Sequence, residues 1–206
     1  MADTAFKPAN LDNKTVRRIL AAALELWTRE GYYGASLKEI ADAAGVAKSL
    51  LHYHFASKEH LLAELQAVYF RKVSAEVRER IARRKPSVEG ALEVMDEVFE
   101  IVIESARQFP FALEIWRAAQ QSPAVRERLE AFEKEINRLF REGVNAALGP
   151  FTAQLRIPPD RLADVLQVAF GGFELRLFLH PDVKRLRRTY QDFKLLVTLG
   201  ALEQGG

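Results

Sequence analysis

Cysteine is absent from the 206-residue chain. That excludes disulfides, thiolate metal sites and a cysteine nucleophile, and it suits a reducing compartment. A dominant charge is missing too. Thirty Lys and Arg against 28 Asp and Glu leave a formal net charge of +2, too little for a uniformly basic coat on nucleic acid. No segment approaches the ~18 consecutive apolar residues of a membrane span, and the first dozen residues lack the apolar core of a signal peptide. A soluble cytoplasmic protein with no membrane partner is expected. There is no nucleophile–His–acid arrangement and no phosphate-binding glycine loop, so neither an enzyme nor a cofactor is expected. Period-two alternation, the mark of a strand, is almost missing as well.

What is present is helical periodicity from end to end, which predicts an all-α protein of about nine helices. Val16, Ile19, Leu20, Ala23, Leu24 and Trp27 form one continuous stripe on the first predicted helix. Asp12 or Asn13 can cap its start and Gly31 can end it. Residues 1–12, with Pro8 and no periodicity, read as a flexible arm. Ser36 and Glu39 are spaced for a capping box at the start of a second helix, in which Leu37, Ile40 and Ala41 face inward. Ala44-Gly45-Val46 supplies a turn, because glycine tolerates the left-handed conformation of a sharp helix–helix corner. A third helix runs from Ala47 to about Tyr53, anchored by Leu50 or Leu51 and by Phe55. Ser57 can cap a fourth that begins at Lys58. Two short helices about a glycine turn, the second polar and aromatic, suit insertion into a DNA major groove.

The run Gly45-Val46-Ala47-Lys48-Ser49-Leu50-Leu51-His52-Tyr53-His54-Phe55-Ala56-Ser57-Lys58-Glu59 closely resembles the recognition-helix signature of the TetR/AcrR family of transcriptional regulators. The resemblance covers residues 14–65. Two departures stand out: Ala47 occurs where that family often has Ser or Thr, and His52 where it usually has Tyr. Both bear on operator sequence more than on fold. The resemblance implies a three-helix helix-turn-helix reader over 13–57 and a larger helical ligand-binding and dimerisation domain over 58–206. Its implied partners are double-stranded operator DNA, a second copy of the chain and a small-molecule effector.

Resemblance and chemistry together assign the DNA-binding set. Lys48, Ser49 and His52, early on the recognition helix, face base edges, where lysine donates to guanine acceptors. Ser36, Lys38, Tyr53 and Lys58 suit phosphate oxygens, and Lys14 and Arg17 add backbone contacts. Ala47 and His54 complete the surface, with His54 also packing or hydrogen-bonding at the helix end. His52, His54 and His60 do not make a metal site: the two nearest are at i and i+2, off one helix face, with no Cys or paired acid beside them.

Beyond the reader, Leu61 to Ile81 predicts a long fourth helix, with Pro86-Ser87 breaking the chain after it. A fifth helix carries Val88 to Ala106. A short sixth runs from Pro110 through Trp116, and a seventh begins at Ser122-Pro123. Gly149-Pro150 and Pro158-Pro159 bracket an irregular connection, and two helices near 160–180 and 185–203 finish the chain. From Leu162 to Leu179 apolar residues occupy more than one face, which calls for burial on both sides. The extra side suits a second copy, and the family's dimers, four-helix bundles of the last two helices, agree. Gly171 and Gly172 lower helix propensity by ~1 kcal/mol each relative to Ala, which points to close packing or room for a ligand.

Ten of the thirteen Phe residues lie between Phe99 and Phe193. Most such residues are core. The family's cavity, carried onto this sequence, gives Phe99, Ile103, Phe111, Trp116, Phe132, Phe170 and Phe173 as lining. Arg107 or Arg117 would hold an anionic head, as in fatty acyl-CoA or aromatic acid derivatives; Glu114 or Glu174 would instead meet a cation. The expected function is a ligand-responsive regulator, a repressor released from a pseudo-palindromic operator by a hydrophobic small molecule. The alternative is a ligand-independent architectural or division-associated DNA-binding factor.

Overall fold

Asn13 starts the first helix, as its side chain accepts from the Thr15 amide at 2.8 Å. Helix α1 (Lys14–Glu30) buries Val16, Ile19, Leu20, Ala23 and Trp27. The expected stripe is shifted at one edge. Leu24 stays partly exposed, while Ala22 and Leu26 on the other edge are buried. The chain turns at Gly31, whose φ of 79° favours glycine and whose N–H closes on the Trp27 carbonyl at 3.0 Å. The computed structural model describes residues 9–105 and 109–201, with backbone alone for 109–112. Among these residues it contains nine α-helices and no strand.

Helix α2 (Leu37–Ala43) opens with the capping box in full, and α3 (Lys48–His54) follows after the turn. Of the two candidate anchors on α3, Leu51 is buried and Leu50 is not. Leu51 shares its face with Phe55 at i+4, and Leu50 lies one residue off that face. Next come α4 (Lys58–Ala82), α5 (Val88–Ser105), α6 (Phe109–Gln121) and α7 (Pro123–Leu148). The sixth helix runs past Trp116 because Ala118 and Ala119 continue the buried row begun at Ile115. It stops at Ser122, whose hydroxyl accepts from the Val125 amide to start α7. A 3₁₀ turn (Gly149–Gln154) fills part of the predicted irregular connection, before α8 (Pro159–Leu179) and α9 (Val183–Ala201). No described helix is long and apolar enough to cross a membrane.

The helices form two compact units. One draws on Met1–Phe70 and Pro110–Phe132, the other on Arg71–Phe109 and Glu133–Gly206. In the first, Ile19, Trp27, Ile40, Leu51, Phe55 and Leu61 share a core with Ile115, Ala118, Ala119 and Val125. Helix α6 and the start of α7 therefore pack with the three N-terminal helices. In the second, Phe99 of α5, Leu162, Leu166, Phe170 and Phe173 of α8, and Leu186 and Tyr190 of α9 form the core.

Candidate nucleic-acid interface

Helix α3 is seated by one face and offers the other to solvent. Leu51 and Phe55, at i and i+4, are fully buried. Lys48 with His52, and Ser49 with Tyr53, form two adjacent i, i+4 rows that are all exposed, Tyr53 to 82%. These four side chains converge on one surface. Ala47 precedes them, exposed, with no side-chain cap for the helix start. His54 is half-buried, its ring edge-on to Tyr53 at 5.0 Å and near Phe55 at 6.5 Å.

The corner behind α3 is held by Arg18 of α1. Its Nη2 donates to the Gly45 carbonyl at 3.1 Å. Gly45 has φ 63°, and a Cβ there would meet that same Nη2 at 2.6 Å. The backbone angle requires glycine, while the guanidinium, at the end of a flexible side chain, shifts at little cost. The turn thus fixes how α3 leaves α2.

The flanking residues fall into distinct environments. Lys38 and Lys14 are exposed. Ser36 is exposed too, but its hydroxyl is engaged: it accepts from the Glu39 amide and donates to the Glu39 carboxylate at 2.7 Å. The Ser36 amide bonded to the Glu39 carboxylate, and then the Ser36 hydroxyl, hold that carboxyl below its ordinary range. Arg17 donates through Nη1 to the carbonyls of Leu11 and Asp12, tying the chain before α1 to that helix. Lys58 lies half-buried with its ammonium 4.5 Å above the Tyr32 ring. Burial lowers its pKa.

His52, His54 and His60 go separate ways. His52 is in solvent, His54 flanks Tyr53, and buried His60 accepts the Ala56 N–H at Nδ1, 3.1 Å away. Among the described residues no three His, Asp or Glu side chains are disposed to hold a metal ion.

The expected effector residues divide between the units. Phe99, Phe170 and Phe173 come together, joined by Tyr190, which stacks on Phe99 at 4.0 Å. Ile103 packs partly buried against the same core. Glu174, next to Phe173 on α8, accepts from the Ser105 hydroxyl at 3.1 Å, and burial raises its pKa. Trp116, Arg117 and Phe132 belong to the first unit instead. Trp116 is exposed, Arg117 pairs with Glu114 at 3.2 Å, and Phe132 packs edge-on to Phe70. Glu114 also accepts from the Tyr33 hydroxyl at 2.6 Å. Arg107 and the Phe111 side chain lie outside the described residues. Tyr190 escaped the sequence reading, although its i+4 spacing from Leu186 and i−3 from Phe193 carried the signal.

Comparison with known proteins agrees with this geometry. Residues 19–65, from within α1 to the first turns of α4, match the family model for bacterial regulatory proteins of the tetR family. The chain is 26% identical over 178 residues to the HTH-type transcriptional regulator CymR of Pseudomonas putida, covering 85% of each. It is 50% identical over 50 residues to the transcriptional activator FasR of Mycolicibacterium smegmatis, which is 24% of this chain and 23% of that one. The Thermus thermophilus repressor FadR, solved with lauroyl-CoA, superposes with a TM-score of 0.67 at 21% identity, over 93% of this chain and 97% of that one. With an exposed face on a helix pinned by its glycine corner, residues 19–65 carry the helix-turn-helix domain of the bacterial regulatory proteins of the tetR family.

Proposed function

We propose that the protein is a cytoplasmic, non-enzymatic homodimer that reads a pseudo-palindromic operator through α3 and releases it when a hydrophobic small molecule binds. The observation that carries this reading is the solvent-facing set Lys48, Ser49, His52 and Tyr53 opposite the buried pair Leu51 and Phe55. In this scheme 13–57 is the reader and 58–206 the effector and dimerisation region, and most of the arm expected over 1–12 lies outside the described residues. Lys48, Ser49 and His52 meet base edges. Lys38, Lys14, Tyr53 and Ser36 stand beside them for phosphate, and such contacts make affinity fall with salt.

The outer faces of α8 and α9 support dimerisation. Val165, Val168, Leu175 and Leu179 on α8, with Gly172 between them, follow a three-four spacing and are exposed, as are Leu195, Leu196 and Leu199 on α9. Exposed apolar surface of this extent marks an interaction site. A Cβ added at Gly171 or Gly172 meets nothing within 4 Å. Close packing within this chain therefore does not explain them, whereas close approach by a second copy would. Two copies related by a twofold axis present two readers to half-sites one or more turns of DNA apart, ~34 Å each.

The aromatic cluster of Phe99, Phe170, Phe173 and Tyr190, with Glu174 and Ser105 as neighbouring polar groups, supports an apolar effector. These rings pack on one another, so a ligand among them has to part them. A hundredfold loss of DNA affinity requires the effector to prefer the released form by about 2.7 kcal/mol. Relatives named as a repressor and as an activator both occur. The sign of control follows from operator position, and we assign repression.

Fluorescence anisotropy on a duplex that the protein selects from a random pool tests the reading. Expected are a twofold-symmetric selected sequence, affinity that falls with salt, and release by one member of a panel of acyl-CoA thioesters and aromatic acids. Binding that ignores the whole panel would replace the effector-controlled reading with a ligand-independent DNA-binding factor. Failure to select any duplex would remove the reader assignment itself.

A further inference from the structure

Among the described residues, Glu64 is the buried carboxylate of the first unit, at 0% exposure and without a role in the surface just described. Taking a carboxylate out of water is costly, and an apolar side chain of similar volume would commonly serve stability as well or better. Its partners come from three parts of the chain. The Ala9 amide, at the root of the arm, donates to Oε2 at 3.0 Å. Arg128 of α7 forms an ion pair with it. His60, one turn earlier on α4, sets Nε2 4.0 Å from Oε1.

His60 carries this cluster to the end of α3. Its Nδ1 accepts the Ala56 N–H, so in the neutral ring Nε2 bears the proton and faces the carboxylate. Its amide donates to the Ser57 hydroxyl at 3.1 Å, and its ring lies edge-on to Phe55 at 5.6 Å. Phe55 is the buried residue that ends α3. A continuous path thus runs from Arg128 through Glu64 and His60 to Ala56 and Phe55, within one compact unit.

We infer that Glu64 is a positioning residue for base reading: one buried carboxylate fixes α7, the chain entering α1 and the α3–α4 corner in the arrangement in which α3 fits DNA. Being fully buried, it touches no nucleic acid itself. The inference rests on the assignment of α3 as the reading helix. It also places Arg128, a residue of α7, in direct control of the reader's geometry.

The test compares wild type, Glu64→Gln, the double variant Glu64→Met with Arg128→Met, and Arg128→Lys. Melting temperature is measured for each, and anisotropy follows binding to the wild-type-selected duplex where circular dichroism shows the protein folded. Glu64→Gln should melt lower and bind about tenfold more weakly, ~1.4 kcal/mol. The double variant, with no charge left unpaired, should regain melting temperature but not affinity. Arg128→Lys keeps a cation on α7 and should bind within about twofold of wild type. A merely structural Glu64 would move melting temperature alone, so wild-type affinity in folded Glu64→Gln or in the double variant overturns the inference. A wild-type protein that selects no duplex overturns the reading on which it rests, and the inference with it.

Discussion

Lys48 opens α3 with its ammonium in solvent, one turn before His52 on the same row. A cation at a helix start is disfavoured by the helix dipole, and Ala47 provides no side-chain cap to offset it. Lys48→Ala should weaken binding to the selected duplex by about 1–3 kcal/mol and weaken unrelated duplexes less, so that base preference relaxes. Competition anisotropy with single-base variants of the selected sequence checks this; a uniform loss on every duplex would make Lys48 a phosphate contact. That Lys48 faces solvent was legible from sequence because its neighbours on the helix fix its face within one turn. The placement of Lys58 was not legible. Its lodging over Tyr32 brings together residues 26 positions apart, which no local spacing encodes.

Among the elements, α2 and α3 follow from local chemistry, and α8 does not follow from the chain alone. The capping box and the glycine corner act over a few residues, and the structure holds both as the sequence spaces them. Helix α8 is apolar on two sides. One side is buried by Leu162, Leu166, Phe170, Phe173 and Leu177, and the other leaves Val168 76% exposed. Val168→Asp should therefore leave the fold of a single chain intact while raising the dimer dissociation constant by about a hundredfold or more, because a carboxylate would be desolvated in the interface. Sedimentation equilibrium reads the association and thermal melting the fold. A Val168→Asp protein that dimerises like wild type would place the interface elsewhere.

For the molecule as a whole, stability should carry a pH signature from Glu174. Burial raises its pKa, against the weaker opposing effect of the Ser105 hydroxyl. The folded chain then holds this proton more tightly than the unfolded one. Its contribution is complete below the ordinary carboxylate range and is lost as pH climbs through the raised folded value. Glu174→Gln should flatten the fall in melting temperature across that window, relative to wild type. Parallel melting curves for the two proteins would show that Glu174 ionises as it does in the unfolded chain.

The sequence by itself determined the reader. Caps, a glycine corner and i, i+4 rows act between residues within a turn or two, so order along the chain is enough to specify them. It also determined that the rest is helical and that α8 has too much apolar surface for one core. Only the tertiary structure decided that 110–132 packs with the N-terminal helices, that Trp116 and Phe132 fall in one compact unit and Phe99 and Phe173 in the other, and that Glu64 gathers Ala9, His60 and Arg128. Ala9 and Glu64 are 55 residues apart. Contacts at such separation depend on which helix faces meet once every segment seeks burial at the same time, and helical periodicity gives each segment's face without naming the face it will meet.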